Sequence, residues 1–226
     1  MAPGRPLAGG RLLKWHDEVL NKAGHAAAAR IAAATREFYL AGGTALALWL
    51  GHRMSLDLDL FSADNPLGSE QRRVLFEALQ ASGSLKIKEE KNGTCHLDLG
   101  GTMVSLFHYA TPMLGRVQTW RGLTIASLED IAAMKLSAVL GRGSKKDFID
   151  LYALCRHIGL EQVMATAERK FPRHADFPLQ AARALVYFED AEKDPTPKML
   201  TPASWEGVKT YFEGEIPSYV KDHLKR

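Results

Sequence analysis

The chain has 226 residues, 46% of them apolar and 24% charged, a balance that provides for a sizeable core and excludes a disordered or fibrous protein. Its net charge of +3, from 29 basic against 26 acidic residues, is too small to demand a nucleic-acid partner, and its two cysteines, Cys95 and Cys155, are too few for a disulfide scaffold and lack metal-ligand spacing. No run of eighteen uncharged apolar residues and no signal-peptide core occurs, so the expectation is a soluble, cytoplasmic protein with no membrane partner.

After a Gly/Pro-rich start, residues 15–35 read as an alanine-rich helix. Phe38-Tyr39-Leu40 is a short apolar run stopped by Gly42-Gly43, the pattern of a buried strand ending in a tight turn. Thr44 then opens a short helix of good formers that Gly51 closes. Ser55 to Phe61 alternates with the period of a strand, and residues 69–81 read as a helix. Residues 85–109 predict a small meander: Lys86 to Lys91, the hairpin turn Asn92-Gly93, Thr94 to Leu99, the turn Gly100-Gly101, then Thr102 to Tyr109. From about Ser127 onward the pattern is helical almost throughout. This composition shift near residue 125 predicts two lobes sharing one site. Trp205, Tyr211 and Phe212 are expected to pack the C-terminal helices.

Asp57 and Asp59 lie two apart, so in a strand both carboxylates leave one face while Leu56, Leu58 and Leu60 fill the other. Aspartate is a poor strand former and the two charges repel. A solvated sheet edge would tolerate them. A divalent cation would neutralise them, and magnesium is commonly held by one or two carboxylates together with substrate phosphates. Gly42-Gly43 lets backbone approach a ligand closely, the helix start behind it offers N–H groups to phosphate, and Thr44 can add a hydroxyl. A glycine corner and an acid pair joined by one short helix predict a phosphate cradle facing a metal pair.

Ser127-Leu128-Glu129-Asp130 has the form of a capping box. In the helix it opens, Lys135 is the charged member of an otherwise apolar stripe. It either snorkels to solvent or reaches nucleotide phosphates. Asp147 and Asp150 lie one turn apart on the next helix, after the basic turn Gly141 to Lys146 that carries Arg142. Asp147 either complements the helix dipole, or it or Asp150 orients Lys135 or Arg142 or takes a proton from an attacking hydroxyl. His52 and Arg53 form a polar turn or touch phosphate or acceptor.

Two segments also carry a resemblance. Tyr39 to Phe61, YLAGGTALALWLGHRMSLDLDLF, resembles the first motif of the AbiEii/AbiGii toxin family of nucleotidyltransferases, and Ala126 to Leu151, ASLEDIAAMKLSAVLGRGSKKDFIDL, resembles its later lysine/aspartate motif. The similarity runs from about Arg36 to Leu160, and Ala184 to Glu192 resembles the C-terminal part of one branch. The resemblance implies an α+β (α/β) architecture: a polymerase-beta-like nucleotidyltransferase lobe with a mixed sheet, here 1–125, followed by a helical lobe, 126–226.

It also implies transfer of NMP from an NTP to an acceptor hydroxyl, with Mg2+, by a toxin-antitoxin type toxin. The tRNA 3′ end is a candidate acceptor and a cognate antitoxin protein a candidate partner. Carried over residue by residue, Asp57 and Asp59 match the metal-binding pair, Gly42 and Gly43 the glycine turn, and Lys135 with Lys146-Asp147 the second motif, with Asp150 close behind. Catalysis is thereby expected of Asp57, Asp59, Lys135 and Asp147, and nucleotide binding of Gly42, Gly43, Thr44, Arg142, Lys146 and Asp150. One departure stands out. Many nucleotidyltransferases of this fold supply a third carboxylate from a later strand, and the corresponding stretch here, Met103 to Phe107, offers Ser105; Asp98 is the nearest acid. A serine there raises the alternatives of Asp147 as base or of a noncatalytic nucleotide- or partner-binding module. Small-molecule nucleotidylation is a third reading of the same site.

Overall fold

In the computed structural model, which describes residues 14–172 and 176–223, the apolar run before Gly42 is strand β1 (Tyr39–Ala41), buried along its whole length. The Gly/Pro-rich start lies almost wholly outside the described residues. The alanine-rich segment expected as one helix over 15–35 is instead a 3-10 turn (Asp17–Val19) followed by helix α1 (Lys22–Ala34). The break is local chemistry: Leu20 is extended, and the Asn21 side chain accepts from the Gly24 N–H at 2.8 Å, capping a fresh helix start.

Helix α2 (Gly42–Leu50) starts at the glycine pair itself, two residues before Thr44, and stops at Gly51 with φ 63, the left-handed conformation glycine adopts without strain. Strand β2 (Leu58–Ser62) is shorter than the alternating run because residues 55–57 lead into it without pairing. Leu58 and Leu60 are fully buried as expected, but Leu56 is 62% exposed, so it corrects the expectation that it fills the core face. Helix α3 (Ser69–Ala81) follows, then β3 (Lys86–Lys91), β4 (Thr94–Asp98) and β5 (Met103–His108). Asn92-Gly93 joins β3 to β4 with Lys91 paired to Thr94, and Gly93 takes φ 81 as a two-residue turn requires. β3 is exposed at every position despite its alternation, as an edge strand rich in lysine and glutamate can be.

A hairpin of β6 (Gln118–Trp120) and β7 (Leu123–Ile125) is an addition to the sequence reading. The seven strands form one mixed sheet in the order β3-β4-β5-β2-β1-β7-β6. β1 runs antiparallel to β2 and parallel to β7, and β2 runs parallel to β5. The two strands that carry the site, β1 and β2, are thus held on both sides.

Beyond Ile125 the described chain is helical: α4 (Leu128–Gly141), α5 (Lys145–Ile158), α6 (Leu160–Lys170), α7 (Phe177–Ala184), the single turn α8 (Glu189–Glu192) and α9 (Trp205–His223). Ser127 caps α4, its Oγ accepting from the Asp130 N–H at 3.0 Å and donating to the Asp130 carboxylate at 2.6 Å. Asp130 also pairs with Lys170 at 2.7 Å, both side chains fully buried, and accepts the Leu114 and Gly115 N–H groups; it therefore clamps α4, α6 and the loop before β6 together. Trp205 and Phe212 pack edge-on to Phe148, and Tyr211 to Tyr152, so α9 closes over α5. Sheet and helices share one hydrophobic core. No helix among the described residues is long and apolar enough to cross a membrane.

Candidate active site

Sequence brings Ala41, Gly42 and Asp59 to one corner, because the β1–β2 register sets Ala41 opposite Asp59. Gly42 has φ 65, and a Cβ there would lie 2.9 Å from Asp59 Oδ2; a Cβ on Gly43 would collide with the Arg53 guanidinium. Both glycines are therefore demanded by close approach of charged side chains, not merely by a turn. The α2 cap residue is Ala41, with no side-chain cap, so the first N–H groups of α2, which begins at this corner, carry no side-chain partner.

Thr44 is buried, and its hydroxyl lies against the Ser55 hydroxyl at 2.6 Å and the Asp57 carbonyl. That hydroxyl holds the residue 55–57 approach in place and so presents the Asp57 carboxylate, which is exposed, next to the half-buried Asp59. Burial pushes the Asp59 carboxyl above the usual carboxylate range; Lys135 pulls against that and the Asp57 charge adds to it. Neither aspartate joins an ion pair among the described residues, where no group of three or more His, Cys, Asp or Glu side chains could hold a metal. Two mutually repelling carboxylates at the mouth of a cleft fit a hard divalent cation whose remaining ligands are water and substrate phosphate.

Behind the corner lies a buried charge network. Asp150, fully buried, accepts from Arg53 twice (Nε at 2.6 Å, Nη2 at 2.8 Å) and from Lys135 at 2.6 Å, and lies 2.7 Å from His52 Nε2. Asp147, also fully buried, accepts from Lys135 at 3.0 Å, from Arg142 at 2.7 and 3.1 Å and from the Ser144 hydroxyl at 2.6 Å. Desolvation works against both carboxylates, yet these cationic partners outweigh it and hold both well below the usual range. Lys135 is likewise desolvated, but Asp150 and Asp147 keep it charged, with its pKa raised. Lys135 thus does not snorkel. It is a fixed cation under the acid pair.

These groups border a cleft of about 480 Å³. Of the site residues singled out from sequence, Gly43, Thr44, Arg53, Asp57, Asp59, Lys135, Arg142 and Lys146 line it. Gly42 sits beneath Asp59, and Asp147 and Asp150 stand one layer back, gripping the cations that do line it. Asp147 has four donors on its carboxylate, so it takes up a proton poorly and makes a poor general base. Asp98 accepts from the Gly101 N–H at 2.7 Å and serves its own turn. Sequence reasoning missed the far wall, Pro197 and Lys198. The segment 198–201 lies along residues 52–54: Met54 donates to the Lys198 carbonyl at 2.8 Å, Leu200 to the His52 carbonyl at 2.9 Å, and Arg53 bridges Met199.

A mixed sheet with a glycine corner, an acid pair on the adjoining strand and a helical lobe supplying a lysine is the polymerase-beta-like nucleotidyltransferase fold, as the sequence resemblance implied. The model of the family described as "Nucleotidyl transferase AbiEii toxin, Type IV TA system" matches residues 27–106 and 112–224, and the chain belongs to that family. An uncharacterized protein of Aquifex aeolicus is 34% identical over 191 residues, 82% of this chain and 89% of that one. Among solved structures, JHP933 of Helicobacter pylori is similar in fold (TM-score 0.51, 18% identity, 90% of this chain and 97% of that one). So is MenT4, a nucleotidyltransferase toxin of Mycobacterium tuberculosis H37Rv (TM-score 0.51, 14% identity, 86% and 85%).

Proposed function

We propose that this nucleotidyltransferase is magnesium-dependent and transfers NMP from an NTP to an acceptor hydroxyl, with the tRNA 3′ end as the leading acceptor, in the manner of a toxin restrained by an antitoxin protein. The lobes 1–125 and 126–226 share the cleft. The observation that carries this reading is the convergence of Asp57 and Asp59, unpaired among the described residues, with the uncapped start of α2 and the cations Lys135, Arg142, Lys146 and Lys198 on one cavity. A triphosphate needs such a distribution, with backbone N–H groups and cations for its oxygens and an acid pair to share a cation with them.

Asp57 and Asp59 would hold Mg2+, which when bound supplies charge neutralisation and Lewis acidity at the reacting phosphate. The N–H groups of Gly43 and Thr44 orient the phosphate chain. Lys135, fixed between Asp147 and Asp150, presents a positive charge that costs no reorganisation when negative charge builds on the leaving pyrophosphate. Arg142 and Lys146, exposed at the rim, draw the substrate in. The acceptor hydroxyl then attacks the α-phosphorus, and positioning supplies much of the rate.

The test is incubation of α-labelled NTP, magnesium and total tRNA. Labelled RNA is expected with the wild-type chain, and Asp57→Ala is expected to reduce it to below about a hundredth with the fold intact. Absence of transfer to RNA, protein or any small molecule overturns the reading.

A further inference from the structure

The sheet register places two further polar side chains in line with Asp59, beyond the residues that line the cleft. Asp59 pairs with Ser105 across β2–β5, and Ser105 pairs with His96 across β4–β5, so the three stand in one row on adjacent strands. All three are half-buried, whereas their neighbours Leu58, Leu60, Val104, Leu106, Cys95 and Leu97 are fully buried, so the row shares the open face of the sheet. His96 Nδ1 lies 3.1 Å from Ser105 Oγ. The imidazole is steadied edge-on by Phe107 at 5.7 Å, itself stacked on Phe61 at 5.1 Å. Among the described residues, His96 Nε2 has no protein hydrogen-bond partner.

We propose that Ser105 receives the proton of the acceptor hydroxyl and that His96 acts through it as the positioning base, a pair replacing a third carboxylate; the inference rests on the nucleotidyl-transfer reading above. A serine hydroxyl alone is no base near neutral pH, but one that can pass its own proton to an imidazole is. With the ring proton on Nε2, Nδ1 accepts from the Ser105 hydroxyl and leaves an Oγ lone pair for the acceptor. As the acceptor oxygen bonds to the α-phosphorus, its proton moves to Ser105 Oγ and the serine proton moves to Nδ1. The bond from the α-phosphorus to the bridging oxygen breaks, pyrophosphate leaves, and the imidazolium returns its proton to solvent. The other candidate bases are occupied: Asp98 holds its turn and Asp147 is saturated by donors.

The experiment follows incorporation of α-labelled NTP into total tRNA with magnesium, reading kcat and the KM for NTP, with thermal melts as the folding control. Ser105→Ala and His96→Ala are each expected to lower kcat about 100-fold while leaving the KM for NTP within about twofold. His96→Asn keeps a side chain able to bond Ser105 but unable to take a proton, and is expected to be as slow as His96→Ala. Ser105→Asp is expected to restore transfer and to make it indifferent to His96→Ala, an epistasis that a packing role would not produce. Wild-type kcat in His96→Ala, rescue by His96→Asn, or a double variant Ser105→Asp/His96→Ala as slow as His96→Ala alone overturns the inference. Asp57→Ala separates the two levels: if it transfers normally, or the wild type transfers nothing to RNA, protein or any small molecule, the nucleotidyl-transfer reading fails and this inference with it; if Asp57→Ala is inactive while Ser105 and His96 variants are normal, only the inference fails.

Discussion

Gly42 and Gly43 are legible in the sequence as a turn, but their physical necessity lies in the side chains opposite them. Gly42→Ala forces a Cβ against Asp59 at a positive φ that L-residues reach at a cost of about 1–2 kcal/mol. It is expected to lower the denaturation midpoint accordingly and to abolish transfer by displacing Asp59; a urea titration and the transfer assay together check both. Asp59 itself is a strained charge. Its raised pKa means that the folded state favours its protonated form, so its ionisation costs stability as the pH rises through the folded value. Asp59→Asn is therefore expected to raise the Tm at neutral pH without metal while eliminating transfer, the opposite sign from most substitutions in a folded protein.

Among elements, the tightest knot is formed by α4, α5 and residues 52–53 around Asp150. Asp150→Ala leaves Arg53 and Lys135 desolvated with one partner fewer, a loss on the order of 3–5 kcal/mol, readable as a lower midpoint in chemical denaturation. The segment 198–201 is held by backbone bonds, so its one exposed cation facing the cleft can be changed without unseating it. Lys198→Ala is expected to raise the KM for NTP several-fold, to leave kcat within about twofold and to leave the Tm unchanged.

Elements differ in how readable they were. Helix α3 and the β3–β4 hairpin follow from periodicity and Asn-Gly alone, because their signals are local. β6 and β7, three residues each, carry too few positions for alternation to register. Lys198 was invisible because it faces the cleft through pairing with a segment some 145 positions earlier in the chain, and no local pattern encodes that. Lys135, read as either snorkelling or reaching the ligand, needed the placement of Asp147 and Asp150 to decide. Ser105 stands out in the sequence as a serine where a third acid is expected; that His96 stands next to it is a fact of register.

At the scale of the whole molecule, acid should unfold the protein through its buried aspartates. Asp147 and Asp150 have folded pKa values depressed below the ordinary 3.8, and so does Asp130, where burial is outweighed by Lys170, Ser127 and two backbone N–H groups. The unfolded chain binds protons on these groups first. Their contribution is thus present above about 3.8 and is lost as the pH falls from there through the folded values. A Tm series across that range is expected to fall steeply, and more shallowly in Asp130→Asn, which starts from a lower Tm. A flat series would contradict the assignment of these pairs as charged.

The bridge between Arg53 and Met199 has a further implication for how the protein comes into being. Glycine corner and acid pair leave the ribosome first, the lysine and its aspartates follow, and the wall bearing Lys198 comes well behind them. A nascent chain therefore presents the acid pair well before the cleft has its far wall, and the order of translation itself delays closure of the cleft.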